Sequence, residues 1–364
     1  MATHPPVHVL DNYYLAITLL ITIAYQLIGF AIAFTFKFDK ITDFMGGSNF
    51  VWLAIITLAM GGSTHPRQII TSIMIMLWAA RLSGFLLFRI LKTGKDDRFD
   101  DKRDKFLPFL GFWVFQMLWV WTVSLPVTIL NSPNVLRVPQ PSFGKATDII
   151  GIIIFVLAFG LEAISDAQKY RFKQGPGKKP GAVCDVGFFK YSRHPNYFAE
   201  IMTQVCAYTL CSFIFKVVLS LIKTPAIYII AVTPASYGAL SSNSGAYAAL
   251  YASCVGFILL TSLLLFLSGL PLQERPGAKK RYEKGEGWPE YEKYLHDTSI
   301  LIPMPQAIWR KLPVIVKRTI GCEWPMYVFD PAKHADQSKV QSREAEEGRH
   351  ESEGGNRAST EPLQ

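Results

Sequence analysis

Long apolar runs punctuated by short basic loops limit what this chain can fold into more than any other feature. About 20 mostly apolar residues cross a bilayer as a helix, the one open-ended structure that satisfies its own backbone in lipid. Such runs cover Tyr13–Phe36, Gly46–Gly62, Ile69–Leu91, Phe106–Ile129, Thr147–Ser165, Tyr197–Ile222 and Ala246–Ser268. They predict an all-α, polytopic membrane bundle of seven transmembrane helices. Ala226–Val232 is apolar but too brief to cross, which suits a re-entrant or interfacial segment. Residues 1–12 lack the basic start of a secretory signal. The run Tyr13–Phe36 also exceeds the about 7–15 apolar residues of a signal core, so it reads as a retained anchor.

The loops supply an independent constraint. Half of the chain is hydrophobic, and its net charge of +9 is concentrated between the apolar runs. With seven spans, Lys37–Lys40, Lys92–Lys105, Lys169–Arg193 and Arg275–Lys293 all fall on one side. The positive-inside rule then sets the N-terminus outside and the C-terminus in the cytoplasm. Cations arranged this way meet anionic head groups of the bilayer rather than a nucleic-acid groove. The five cysteines form no CxxC pair and no metal-ligand spacing, so neither a disulfide framework nor a metal is expected. The organisation that follows is an N-terminal segment 1–12, a transmembrane domain 13–305, an extension 306–330 and a tail 331–364. The tail is rich in Glu, Ser, Arg and Gly and is expected to be disordered.

Three polar clusters fall on the predicted cytoplasmic side. The first closes the fifth run, where Glu162, Asp166, Lys169 and Lys173 recur at helical spacing on one face. A basic collar on lipid phosphates is one reading of it; the deep carboxylates favour a site for a ribose or amide with phosphates at its mouth. The second is Gly187-Phe-Phe-Lys-Tyr-Ser-Arg-His-Pro-Asn-Tyr-Phe-Ala-Glu200, with Pro195 suited to a first helical turn. Ionisable groups at a membrane edge are costly unless paired, which makes Arg193, His194, Asn196, Tyr197 and Glu200 functional candidates. The third follows the last run and contains Glu274, Arg275, Lys279, Tyr282, Trp288, Tyr291 and Tyr294. Arg275, Lys279 and Tyr282 share a helical face, a pattern that an amphipathic interfacial helix also produces. Cations for phosphates, aromatic faces for bases and acceptors for hydroxyls are together the needs of a phosphorylated dinucleotide. No GxGxxG motif is present, so a helical bundle would have to hold it.

Ser165-Asp166, Lys169, Lys173, Gly187-Phe188-Phe189, Ser192-Arg193-His194-Pro195-Asn196-Tyr197, Glu200, Glu274-Arg275, Tyr282, Trp288, Tyr291, Tyr294 and Ile302-Pro303 carry a family likeness. Through them the chain resembles the steroid 5-alpha-reductase-like membrane enzymes, in a branch labelled as a domain of unknown function, and is similar to the sterol C14 and C24(28) reductases. The resemblance implies NADPH bound inside the helical bundle and hydride transfer to a carbon–carbon double bond of a lipid, in the endoplasmic reticulum. It implies Lys169 and Lys173 at the phosphate end, and Phe189, Arg193, Asn196 and Tyr197 along the cofactor. Asp166, His194 and Tyr291 belong to the same expected cofactor site, Glu200 to its carboxamide or polar network, and Arg275 and Tyr282 to its closure. The Glu and Tyr that polarise an enone in the steroid reductases have no counterpart here; Asp43, Arg81, Arg89, Asp97 and Arg98 are the polar residues of the N-terminal half. The proton donor and the oligomeric state therefore stay open. Two alternatives also stand: an S-adenosylmethionine-dependent membrane methyltransferase, whose relatives share Arg-His-Pro-x-Tyr, and a non-catalytic sterol- or lipid-binding protein.

Overall fold

The computed structural model describes residues 3–93, 102–175, 181–204, 226–238 and 243–345. Among them the fold is all-helical, with one isolated bridge between Val9 and Asp11 and no strand. Six helical stretches are long and apolar enough to cross a bilayer: Leu15–Thr35, Asp39–Gly61, Pro66–Lys92, Phe106–Leu136, Ala146–Gln174 and Ser244–Lys284. The chain is thus an integral membrane protein. Of the expected sixth span, Pro195–Gln204 is helical and residues 205–225 lie outside the described set, as do Asp97, Arg98, Cys206 and Cys211.

The chain divides into two compact units, Met1–Ala163 with Ala199–Thr261, and Ile164–Phe198 with Ser262–Gln364. In the first, α1 (Leu15–Thr35), α2 (Thr42–Gly61), α3 (Pro66–Thr93) and α4 (Phe106–Leu130) form the core. Small residues let these helices approach closely, as is usual where lipid gives no hydrophobic drive between helices. A Cβ on Gly47 would meet Ser83 at 2.6 Å, and one on Gly29 would meet the Trp113 ring at 2.6 Å. Polar side chains knit the same helices: Gln116 Nε2 donates to Gln26 Oε1 (3.0 Å), and Gln26 Nε2 to Asn49 Oδ1 (3.1 Å). Pro126, inside α4, cannot donate to the carbonyl of Thr122. Gly256 covers that carbonyl, since a Cβ there would stand 2.4 Å from it. The short helix Ala226–Ala231 is core rather than interfacial, with Tyr228 and Ala231 packed against Leu125, Ile129 and Leu250.

The second unit contains the end of α5 (Ala146–Gln174), the start of α6 (Pro195–Gln204), α7 (Leu270–Lys284) and α8 (Trp288–Asp297). A wide turn precedes α7, where Ser268 N–H donates to Leu263 O, five residues back, at 2.7 Å. Gly285 closes α7 in the left-handed region (φ 68°), which favours a residue without Cβ. The polar C-terminal segment is ordered further than its composition suggests. Residues 337–345 are helical, Val340 is buried, and Arg343 Nη1 donates to Tyr282 O at 2.7 Å. Docking on α7 supplies the burial that the segment's own composition lacks. Residues 346–364 lie outside the described set.

Candidate functional site

The Arg-His-Pro segment is held by backbone and hydroxyl contacts. Gly187 (φ 55°) sits so close to Gln168 that any Cβ would collide with the amide, and Gln168 Oε1 accepts from Phe188 N at 3.0 Å. Met304 N donates to Tyr191 O (2.9 Å), and Arg193 N to Ser299 O (2.8 Å). Ser192 Oγ donates to Leu301 O (2.8 Å) and accepts from His194 N (3.1 Å). Pro195 then opens α6, where its missing N–H costs nothing. Residues 187–194 are thereby fixed against 299–304, and the side chains of Arg193 and His194 project from a rigid base.

Those side chains meet α7. Arg193 Nη1 pairs with Glu274 Oε2 at 2.7 Å, and its Nη2 pairs with Glu323 Oε1 at 2.6 Å. His194 Nε2 lies 2.6 Å from Glu274 Oε1. Burial lowers the His194 pKa, against the opposing pull of Glu274. The imidazole is therefore neutral at pH 7, with its proton on Nε2 donated to Glu274. Two buried atoms here have no hydrogen-bond partner, His194 Nδ1 and Arg193 Nε. Each is open to a bond from a ligand atom or from a buried water.

Around this triad lies a cavity of about 180 Å³. Its charged and polar lining is Lys169, Lys173, Arg193, His194, Gln273, Glu274 and Arg281, and its aromatic lining is Phe172, Phe189, Tyr291 and Tyr294. Arg281 stacks on Tyr291 with its guanidinium carbon 4.4 Å from the ring centroid, and Lys169 lies 5.9 Å from that of Phe189. Burial, reinforced by Glu274, pushes the Tyr291 phenol up to about 12, and burial raises that of Tyr294. Both phenols stay protonated, and Tyr294 donates to Phe189 O at 2.8 Å. Four cations and one carboxylate line the space, so it favours an anionic group beside a planar one. Whole-ligand pockets span about 300–1,000 Å³, so this cavity takes one moiety of a larger ligand.

Of the candidate residues singled out from the sequence, Lys169, Lys173, Phe189, Arg193, His194 and Tyr291 line this cavity. Asp166, Asn196 and Tyr197 flank the cavity. Asn196 Nδ2 donates to Asp166 Oδ1 (3.3 Å), the Tyr197 ring stacks on His194 (5.2 Å), and its hydroxyl accepts from Gln273. Arg275, Tyr282 and Glu200 are not in its lining either. Arg275 donates to the carbonyls of Pro325 (2.8 Å) and Val328 (3.2 Å), and Tyr282 packs on Trp288 and Phe329. The stripe Arg275–Lys279–Tyr282 does share a face of α7, but the neighbouring stripe of Glu274, Ala278 and Arg281 is the one turned inward. Glu200 follows Asn196 by one turn yet belongs to the first unit, as does Glu162, which pairs with Arg81. Arg281 and Glu323 are the residues that sequence reasoning missed. Arg281 had a signal, its i+7 spacing from Glu274; Glu323, 130 residues from Arg193, had none. Among the described residues no group of His, Cys, Asp and Glu is arranged to hold a metal.

Fold and site define a polytopic membrane protein with a cation-lined, partly aromatic cavity beside an Arg–His–Glu triad. The chain belongs to the DUF1295 family, described as a protein of unknown function, whose family model matches residues 29–236, more than half of its length. That match includes the Arg-His-Pro-Asn-Tyr segment and ends before α7. No curated protein and no solved structure matches the chain.

Proposed function

We propose that the protein is a membrane-embedded, NADPH-dependent reductase of the steroid 5-alpha-reductase-like superfamily that reduces a carbon–carbon double bond in a lipid. The observation that carries this reading is the convergence of Lys169, Lys173 and Arg281 on one cavity with Phe189, Tyr291 and Tyr294. The residues fit a phosphorylated nucleotide. Arg281 has two backbone carbonyls and an aromatic face as partners, so its charge is available to a phosphate. Arg193, by contrast, is neutralised by two carboxylates and serves as a positioning residue for Glu274 and His194. His194 Nδ1 is a ready acceptor for an amide or hydroxyl hydrogen. When bound, NADPH supplies the hydride; the chain's own residues bind it, orient it and exclude water. With the basic loops inside, the cavity faces the cytoplasmic nucleotide pool, and the endoplasmic reticulum is the natural membrane for a lipid reductase.

S-Adenosylmethionine carries a sulfonium cation and no phosphate, and the Lys169, Lys173 and Arg281 charges in the lining oppose it. Calorimetry on the purified protein in lipid nanodiscs separates the readings. NADPH is expected to bind, more tightly than NADH because the latter lacks the 2′-phosphate. Binding of S-adenosylmethionine without NADPH overturns the proposal in favour of a methyltransferase. Binding of neither leaves the lipid-binding alternative. Oxidation of bound NADPH on addition of lipid enones or enals then tests turnover.

A further inference from the structure

Between α8 and the Glu323 contact the chain forms two short helices, Gln306–Trp309 and Val314–Thr319, each introduced by a proline. Their facing sides are filled. Trp309 is fully buried, the Lys317 ammonium lies over its ring at 5.2 Å, and a Cβ on Gly321 would meet that ring at 2.6 Å. The pair is moored to α8 by Arg310 Nη2 to Asp297 Oδ2 (2.7 Å) and Gln306 Nε2 to Thr298 Oγ1 (3.1 Å). It is therefore a packed hook and not a loose loop.

The outward side of the hook is apolar. Ile315 is 71% exposed, Val314 59% and Ile308 51%. Lys311 and Arg318 stand exposed among them and make no ion pair with the described residues. A hook facing water alone would turn these aliphatic side chains inward. Aliphatic side chains beside uncommitted cations are instead the composition of a segment lying in the head-group layer, where the chains enter the acyl boundary and the cations meet phosphates. The protein's membrane-spanning helices already place it at a bilayer.

We propose that residues 306–320 dock on an anionic bilayer surface through Ile308, Val314 and Ile315, with Lys311 and Arg318 on lipid phosphates. The hook is joined to α8, which carries Tyr291 and Tyr294, so the lipid surface would hold one wall of the candidate site in place. The inference does not depend on which cofactor that site takes.

The test uses the full-length protein in nanodiscs with a genetically encoded fluorescent residue at position 315, and in a second protein at position 333. Lys333 is a control, exposed on the same C-terminal segment and paired with Asp330. Quenching by bromine-labelled phosphatidylcholine is expected to be about twofold stronger at 315 than at 333 when phosphatidylserine is present, and to weaken as salt is raised. Adding Lys311→Gln and Arg318→Gln should remove the phosphatidylserine dependence while leaving the thermal unfolding transition unchanged. Equal quenching at 315 and 333 overturns the proposal. Quenching at 315 that is as strong without phosphatidylserine as with it overturns the anionic part and leaves a neutral lipid contact.

Discussion

Arg67, at the start of α3, and Arg193, ahead of α6, are both buried cations held by carboxylates, and they differ in how completely they are satisfied. Arg67 is 0% exposed, as is its partner Asp148. Its guanidinium makes two bonds to that carboxylate, at 2.8 and 2.9 Å, and two more to the carbonyls of Pro141 and Ser142. Asp148 also accepts from the backbone N–H groups of Gly144 and Lys145. The guanidinium and the carboxylate are thus both held by protein groups. Arg193 shares its charge between two carboxylates, keeps an unpartnered Nε, and lines a cavity beside an imidazole with an unpartnered Nδ1. Both arginines look alike by burial and charge. Saturation separates them: a closed network fixes structure, and an open one invites a ligand.

The largest expected effect breaks the closed network. Asp148→Ala leaves a buried guanidinium facing two carbonyls and nothing else, and it also strips two backbone donors of their acceptor. Removing one partner of a buried ion pair costs about 3–5 kcal/mol. Unfolding in mixed detergent micelles should register that loss. NADPH affinity, measured on the fraction still folded, should not change. An Asp148→Ala protein with wild-type stability would show that saturation does not distinguish the two arginines.

A smaller effect is expected where the open network meets solvent. Lys169→Gln with Lys173→Gln removes two lining cations and leaves the Arg193–Glu274–His194 contacts alone. NADPH affinity should fall by about tenfold, equivalent to about 1.4 kcal/mol, with thermal stability unchanged. Because NADH lacks the 2′-phosphate, its affinity should fall less. An unchanged NADPH isotherm would remove the anionic moiety from this cavity and leave the basic end of α5 as a collar on lipid head groups.

How much of this was legible beforehand follows from what one-dimensional patterns encode. Apolar run length gave the helical membrane architecture, because hydrocarbon thickness fixes helix length with little help from tertiary context. The cover that Gly256 gives the Thr122 carbonyl, by contrast, joins residues too far apart in sequence for any local pattern to show. Periodicity correctly grouped Arg275 with Lys279 and Tyr282, and it could not tell which way α7 is rotated about its axis. Rotation is set by partners distant in sequence, here Pro325, Val328 and Phe329, so the inward stripe proved to be the next one round. Glu323 was invisible for the same reason. A single acidic residue in a polar extension carries no local signature of the arginine that it will meet.

The smallest effect sharpens the comparison through pH. Each arginine has a histidine nearby, and burial depresses the pKa of both His65 and His194. A histidine whose folded pKa lies below its unfolded value of about 6.5 binds more protons when unfolded, so stability is full at high pH and declines as pH falls through that value. For His194 the decline falls between pH 7 and pH 6, where the unfolded imidazole takes up its proton and the buried one resists it. His65 is only partly buried, with solvent to share its charge, so its contribution should be the lesser one. His194→Gln should therefore flatten the pH profile of unfolding between 7 and 6, and His65→Gln should leave most of it. If the His65 variant flattens the profile instead, the closed network contains the titrating group, and the open one owes its unpartnered nitrogen to packing rather than to a waiting ligand.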